Sequence, residues 1–174
     1  MVDDLLRLIL AHINEKKGFP IVVSGGVGSG KTEVCRMVIR RLEGAFDPGG
    51  IISPRVIESG STTGYDVLNV ETGEKRPFVR STPPGVRVGR FFLRPGALEF
   101  ANEAISGAIG RREPVFADEV GRMELKQKGL APAIKELIGS DTQGIFLVRT
   151  QFLPRFRKVF GVYNYDEFRI PQKK

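Results

Sequence analysis

The chain has 174 residues, a length that fits one compact domain with a core of five or six strands. Hydrophobic residues make up 41% of it and charged residues 27%, and no apolar run approaches the roughly 20 residues needed to cross a bilayer. Asp3 and Asp4 stand where a signal peptide would carry basic and then apolar residues, so the sequence predicts a cytoplasmic protein without a membrane segment.

The formal net charge of +7 favours anionic partners. Nucleotide phosphates account for part of this preference, and nucleic acid is possible but not favoured, because a basic solvated surface is the commoner cause of such a charge. The only cysteine, Cys35, excludes an internal disulfide, and we expect it to be a small buried side chain of a helix. With His12 as the only histidine, the usual ligands of a tetrahedral zinc site are too few.

Helical and extended patterns alternate along the first half of the chain. An apolar stripe predicts an amphipathic helix over residues 3–17 that ends at Gly18. The predicted elements that follow are a buried strand over 19–23, a helix over 31–43 and β-prone segments over 50–57, 65–70 and 75–79. Residues 71–74 are predicted to form a hairpin turn, and the basic, proline-containing residues 80–90 a mobile surface loop.

The second half continues the alternation. Its predicted elements are a helix from Pro95 to about Arg112, a strand over 114–117, a helix over 130–138, a strand over 144–148 and a short helix over 154–160. Such a pattern predicts an α/β fold of three layers, in which helices cover both faces of a mostly parallel central sheet and an antiparallel hairpin segment is added. We expect residues 1–174 to form a single domain, with residues 1–18 as an N-terminal helical extension.

The strongest motif is a full match to G-x-x-x-x-G-K-[ST], the P-loop or Walker A pattern. Its residues are Gly25, Gly26, Val27, Gly28, Ser29, Gly30, Lys31 and Thr32. The glycines allow backbone N–H groups to surround phosphates, the lysine adds a positive charge at the β- and γ-phosphates, and the threonine hydroxyl binds Mg²⁺. The following helix directs its positive N-terminal end at the same anion, so we assign phosphate binding to this loop and to the next residue, Glu33.

Two adjacent carboxylates follow the predicted strand over 114–117. A carboxylate at a strand end beside a P-loop can hold magnesium, and a neighbouring one can take a proton from an attacking water. Asp118 is therefore the candidate metal residue and Glu119 the candidate general base. In isolation the pair would be interpreted as a helix cap or a solvated acidic pair; the P-loop favours the functional interpretation.

Hydrolysis also needs positive charge near the γ-phosphate as negative charge spreads over its oxygens. Arg149 follows the predicted strand over 144–148, from which its side chain could reach that phosphate, and we count it with Lys31 and Glu119 as catalytic. Other arginines are available at positions 55, 80, 90 and 122, although any single one is commonly a surface residue. The basic and aromatic residues 155–160 favour a helix that packs on the core over an RNA-binding surface.

Several segments occur in the order found in a known family. These are the P-loop, residues 50–53 and 64–67, residues 88–92 and, most specific of all, the sequence Asp-Glu-Val-Gly-Arg-Met-Glu-Leu at 118–125. Over roughly residues 20–168 the chain resembles the THEP1-type nucleoside-triphosphatases. The resemblance implies a RecA-like sheet with another strand between the P-loop strand and the acidic strand. It also implies hydrolysis of ATP, GTP and other triphosphates, with phosphate and magnesium at Gly30, Lys31 and Thr32, the metal at Asp118 and water at Glu119.

The chain also departs from that family's pattern. Glu33 replaces a second threonine, and its carboxylate must point away from the phosphates or weaken binding. Pro54 and Arg55 stand where acidic residues are common, and Asn164 is followed by tyrosine instead of arginine. These differences concern turnover and base contacts more than the fold.

The sequence therefore predicts a magnesium-dependent nucleoside triphosphatase that acts on ATP and GTP and is monomeric. One alternative is a kinase that transfers the γ-phosphate to a small acceptor, with residues 80–94 as an arginine-rich lid. Another is a nucleotide-gated RNA-binding module. A general base directed at water argues against the kinase, since kinases exclude water.

Overall fold

The computed structural model describes residues 1–172. The described strands are β1 (Ile21–Gly25), β2 (Gly49–Ile52), β3 (Arg55–Glu58), β4 (Ser61–Asn69), β5 (Lys75–Arg80), β6 (Val86–Val88), β7 (Phe91–Leu93), β8 (Val115–Val120), β9 (Gly144–Arg149) and β10 (Asp166–Arg169). The α-helices are α1 (Val2–Glu15), α2 (Lys31–Leu42), α3 (Ala97–Ser106), α4 (Ala131–Ile138) and α5 (Leu153–Phe160). None of the described helices is long and apolar enough to cross a membrane.

All ten strands belong to one mixed sheet in the order β10-β1-β9-β8-β2-β4-β5-β7-β6, with β3 paired to β4. The five strands from β10 to β2 are parallel to their neighbours, and the pairs beyond β2 are antiparallel. β9 lies between β1 and β8. This is the RecA-like arrangement that the resemblance implies, and the fold prediction is confirmed.

Helices cover both faces of the parallel strands. In β1, Ile21 and Val23 join the apolar cluster under α1 and α2, whereas Val22 joins the cluster under α3, α4 and α5. In β9 the same alternation places Ile145 on one face and Phe146 on the other. Successive side chains of a strand point to opposite faces, so these continuous apolar segments contribute residues to the apolar clusters on both faces of the sheet.

Most predicted elements occur within a few residues of the expected positions, and the turn at 71–74 does join the antiparallel pair β4 and β5. The predicted segment 50–57 is instead two strands separated at Ser53 and Pro54. Proline cannot donate to a strand ladder, and the pairing with β8 ends at this point, although β2 and β3 both pair with β4.

Two further expectations are wrong, and one strand was not predicted. Residues 80–90 are not a loop throughout, since they contain β6, which forms a hairpin with the following strand β7. Both strands have three residues and are too short to show an alternating pattern. The helix expected from Pro95 to Arg112 spans only Ala97–Ser106, because Gly96 precedes it in a left-handed conformation and Gly107 follows it. The strand β10 was not predicted; its residues Asp166–Arg169 are mostly polar and occupy an edge of the sheet.

Candidate active site

The main pocket lies at the carboxyl ends of β1, β2, β8 and β9. Its volume is about 500 Å³, and its lining comprises residues 27–33, Arg36, Ser53, Pro54, Arg55, Ile57, Tyr65, Asp118, Glu119 and Arg149. Ligands in open α/β sheets bind in the crevice outside the carboxyl ends of the strands. The sheet order therefore brings residues that are far apart in the sequence to one site.

The P-loop connects β1 to α2 through a tight turn. Gly28 and Gly30 have φ values of 70° and 95°, a region in which a residue with a Cβ is strained. Gly30 is the N-cap residue of α2 and makes no side-chain cap, so the first amides of the helix face the pocket without a protein side chain as partner. Unpaired helix N-terminal amides form an anion site.

Lys31 is nearly buried and folds back over the P-loop. Its Nζ donates to the carbonyl oxygens of Gly25 at 3.1 Å and Gly26 at 3.0 Å. Burial lowers the pKa of this ammonium, and the carboxylates of Asp118 and Glu119 oppose that shift. The ammonium thus lies between the loop that would hold phosphate and the acidic pair on β8.

Asp118 is almost fully buried and is held by two donors. The Thr32 hydroxyl donates to its Oδ2 at 2.7 Å, and the backbone N–H of Ser53 donates to the same oxygen at 2.9 Å. Burial raises the pKa of Asp118 to about 7, reinforced by the neighbouring Glu119 and opposed by the bonds from Ser53 and Thr32. Placing a carboxylate here is costly unless a cation or donors compensate for its burial.

Thr32 and Asp118 form an oxygen pair suited to a hard divalent cation. One oxygen belongs to the first turn of α2 and the other to β8, and the two are 2.7 Å apart. Hydroxyl and carboxylate oxygens are the ligands that Mg²⁺ takes beside nucleotide phosphates. The residues present therefore fit the metal that the P-loop implies.

Glu119 and Arg149 form an ion pair at the edge of the pocket. The Arg149 guanidinium donates to Glu119 Oε1 through Nη2 at 2.5 Å and through Nε at 3.1 Å, and both side chains are more than a quarter exposed. Strand pairing between β8 and β9 shifts register between Ala117 and Val120, so the acidic pair lies in an irregular stretch. Irregular strand pairing redirects side chains, and Glu119 is one of the residues that line the pocket.

Glu33 lies in the first turn of α2 and pairs with Arg36 at 3.0 Å. This contact neutralises the carboxylate whose presence distinguishes the loop from the family pattern. Both side chains are exposed at 40% or more, so the pair itself adds little to stability. Its consequence is electrostatic: the phosphate loop does not face an unpaired negative charge at this position.

The structure brings all of the predicted site residues around one pocket, apart from Gly25 and Gly26, whose carbonyls bond Lys31 behind it. Sequence reasoning missed Ser53, whose amide holds Asp118, and Tyr65, which lines the pocket from β4. A polar residue directly after the apolar run at 50–52 was the available signal for Ser53. No sequence signal pointed to Tyr65, because its position depends on the pairing of β3 with β4.

Glu124 is a third residue that was missed. Its buried carboxylate accepts the backbone N–H of Gly121 at 2.9 Å and that of Leu130 at 3.1 Å. Burial raises the pKa of this carboxyl, and the same backbone donors oppose the shift. Glu124 therefore fastens the loop that follows Glu119 to the start of α4.

Comparison with known proteins shows which family the chain resembles. A family model described as NTPase matches residues 20–167, a region that begins after α1. Among curated relatives, a nucleoside-triphosphatase THEP1 of Methanopyrus kandleri is 36% identical over 129 residues, or 74% of this chain and 72% of the relative. Another, from Methanothermobacter thermautotrophicus, is 32% identical over 140 residues, or 79% of this chain and 80% of the relative.

Two solved structures share the fold. The crystal structure of THEP1 from Aquifex aeolicus has a TM-score of 0.64 at 19% identity, covering 88% of this chain and 90% of that protein. The solution structure of a human cancer-related nucleoside triphosphatase has a TM-score of 0.67, also at 19% identity, covering 87% and 88%. At this identity the likeness concerns the fold, which is the mixed sheet described above.

Proposed function

The chain belongs to the THEP1-type nucleoside-triphosphatase family, and we propose that it hydrolyses ATP, GTP and other nucleoside triphosphates to diphosphate and phosphate with Mg²⁺. Membership of this family makes the chain a nucleoside triphosphatase. What we propose in addition is the dependence on Mg²⁺, the acceptance of several bases and the roles of individual residues. The observation that carries it is the 2.7 Å contact between Thr32 and Asp118, with Glu119 next along β8. The proposed metal ligands, Thr32 and Asp118, and the proposed general base, Glu119, therefore lie beside the P-loop in one pocket.

Phosphate binding is assigned to the backbone of residues 25–33 and to the Lys31 ammonium. The N-terminal amides of α2 direct partial positive charge at the same position. Lys31 already bonds two carbonyls of the loop, and phosphate oxygens would replace them with stronger, charge-assisted bonds. Because these groups recognise phosphates and not the base, we propose that ATP and GTP are both accepted.

Thr32 and Asp118 would hold Mg²⁺. When bound, the ion neutralises negative charge on the β- and γ-phosphates. Ser53 keeps Asp118 in place through its backbone N–H, at 2.9 Å.

Glu119 is proposed as the general base. It accepts a proton from water while the water oxygen bonds to the γ-phosphorus and the bond from phosphorus to the β–γ bridging oxygen breaks, releasing diphosphate and inorganic phosphate. Arg149 orients the base, since it holds Oε1 of Glu119 through two nitrogens and leaves Oε2 for water. Both groups line the pocket and are partly exposed, so water has access to them.

The kinase alternative is not favoured. The segment 80–94, considered as an arginine-rich lid, instead forms the β6–β7 hairpin at the far edge of the sheet. Release of phosphate without an added acceptor would distinguish a hydrolase from a kinase. For an RNA-binding module, the Glu119→Gln variant should still bind RNA as the wild type does. Monomeric state and cytoplasmic location stay predictions of the sequence.

The test is phosphate release from ATP, GTP, CTP and UTP, each with excess Mg²⁺ or with EDTA, and with no acceptor present. We expect release from all four with rates within about tenfold of one another, a spread of roughly 1.4 kcal/mol in activation free energy, and loss of release in EDTA. Release restricted to one base would contradict the proposed breadth. Undiminished release in EDTA would contradict the metal assignment.

A further inference from the structure

Four cationic side chains line the active-site pocket, and they differ in what they contact. The four are Lys31, Arg36, Arg55 and Arg149. The lysine bonds the P-loop carbonyls, and two of the arginines are paired with carboxylates. Arg55 alone makes no side-chain hydrogen bond or ion pair with any residue among 1–172. Its guanidinium is therefore the one available to an anion entering the pocket.

The Arg55 guanidinium lies over the middle of the P-loop. Its Nη2 would be 3.3 Å, and its Nη1 3.9 Å, from a Cβ placed on Gly28. Because Gly28 has no side chain and a φ of 70°, the guanidinium can approach the loop backbone closely. The amides of this loop are the groups that surround the phosphates, so Arg55 faces them across the pocket.

Arg55 lies two residues after the residue that holds the proposed metal ligand Asp118. That residue is Ser53, whose backbone N–H bonds Asp118 Oδ2 at 2.9 Å, so the same segment borders the Thr32–Asp118 pair. A metal held by that pair would neutralise negative charge on the β- and γ-phosphates. The segment that carries Arg55 therefore forms the border of the pocket beside the proposed metal position, where the phosphate bond would break.

The backbone of Arg55 is fixed while its side chain is free. Arg55 pairs with Tyr65 across β3 and β4, and Pro54 before it restricts the backbone further. The side chain itself is exposed. Because its backbone is held and its guanidinium is unpaired, Arg55 can bond phosphate oxygens more strongly in the transition state, where their charge grows, than in the ground state.

We propose that Arg55 is a catalytic residue that contacts the γ-phosphate and stabilises its transition state from within the same chain. The inference rests on the proposed function. As the bond from the γ-phosphorus to the bridging oxygen breaks, negative charge grows on that oxygen and on the phosphate, and the guanidinium donates to these oxygens. Arg149 acts on Glu119 and Arg55 on the phosphate, so the two arginines have different partners.

The test compares Arg55→Ala and Arg55→Lys with Arg87→Ala. Arg87 is an exposed arginine of β6 outside the pocket, so its replacement removes the same charge from the molecule. The measurements are the single-turnover rate with Mg²⁺ and ATP, the Kd for ADP by calorimetry, and binding of ADP with aluminium fluoride, which mimics the transferring phosphate. Thermal unfolding of each variant verifies that it is folded.

We expect Arg55→Ala to lower the single-turnover rate about 100- to 1000-fold, in line with loss of a transition-state donor. The Kd for ADP should stay within about threefold and the aluminium fluoride complex should be lost, because only the transition state is affected. Arg55→Lys should recover part of the rate, and Arg87→Ala should match the wild type.

An Arg55→Ala rate within threefold of an active wild type would overturn the assignment of Arg55 alone. A rate loss matched by an equal loss of ADP affinity would also overturn it, since Arg55 would then only attract the nucleotide. If the wild type binds ATP without hydrolysing it, the proposed function fails and this inference fails with it.

Discussion

Lys31 and Asp118 are both nearly buried, and each carries a group whose charge is costly to bury. Burial lowers the pKa of the lysine and raises that of the aspartate to about 7, while each attracts the charged form of the other. Proteins rarely bury such groups unless they are paired or have a function. Together with Glu119 and Arg149 they form a cluster of charges, and a bound nucleoside triphosphate with its metal would supply the missing partners.

Lys31→Ala should abolish tight binding of triphosphates. The substitution removes the ammonium that lies against the phosphate loop and leaves the carbonyls of Gly25 and Gly26 without their donor. We expect the Kd for ATP, measured by calorimetry, to rise about 100-fold, which corresponds to roughly 3 kcal/mol. Lys158→Ala on α5, an exposed lysine outside the pocket, is the matched control and should bind as the wild type does. Equal Kd values for the two variants would contradict the role of Lys31.

At single residues the sequence was most informative where a motif is contiguous. The P-loop could be recognised because its spacing alone implies phosphate binding, whereas Asp118 and Glu119 became candidates only because a P-loop is present in the same chain. Arg149 was identified from its position at a strand end, but its contact with Glu119 depends on the pairing of β8 with β9. Arg55 was one of several available arginines, since its proximity to Gly28 arises only from the fold.

Among the elements, the loop from Gly121 to Gly129 shows how the active-site strand is anchored. It contains one short 3-10 helix, Glu124–Lys126, and lacks long regular structure. The Glu124 carboxylate instead connects the two ends of the loop by accepting the backbone N–H groups of Gly121 and Leu130. The position of the segment after Glu119 thus depends on one buried carboxylate.

Glu124→Ala should destabilise the protein and lower its turnover. It leaves the buried N–H of Leu130 and that of Gly121 without their acceptor, at about 1 to 3 kcal/mol each. We expect urea denaturation to show a loss of about 2 to 6 kcal/mol in the free energy of unfolding. Glu103→Ala, an exposed glutamate of α3, should change it by less than about 0.5 kcal/mol. Indistinguishable unfolding curves for the two variants would show that Glu124 does not anchor the loop.

Long amphipathic helices and buried parallel strands could be predicted because burial imposes a clear period on their sequences. α1, α2 and β1 all occur close to the expected positions. The short strands β6 and β7 could not, since three residues hardly show a period and their hydrogen bonds form only within the sheet. β10 was missed for a related reason: it pairs with β1, which lies far away in the sequence.

In the molecule as a whole, α1 is packed as part of the outer layer. Leu5 and Ile9 are fully buried in the same apolar cluster as Cys35 and Val38 of α2, the helix that begins at the P-loop. His12 of α1 is also buried, and its Nε2 lies 2.8 Å from Asp166 Oδ2 on β10. The helix that the sequence suggested as an addition therefore supports the P-loop helix from behind.

Leu5→Ala should destabilise the whole protein. Removing a fully buried leucine from a packed cluster costs about 2 to 5 kcal/mol, because the transfer free energy is lost and a cavity remains. Urea denaturation should show this loss, with Leu8→Ala, a half-buried leucine of the same helix, losing less than half as much. Equal losses for the two variants would mean that α1 is not seated on α2 as described.

The central claim is that Glu119 activates water in a pocket that has bound a triphosphate at the P-loop. The most direct measurement is single-turnover hydrolysis of Mg²⁺-ATP by the wild type and by Glu119→Gln, with calorimetric binding of a non-hydrolysable triphosphate to both. The glutamine keeps the size of the side chain but cannot accept the proton. We therefore expect Kd values within about threefold and a hydrolysis rate that falls about 100- to 10,000-fold. Hydrolysis by Glu119→Gln at the wild-type rate, or no heat of binding with the wild type, would contradict the account.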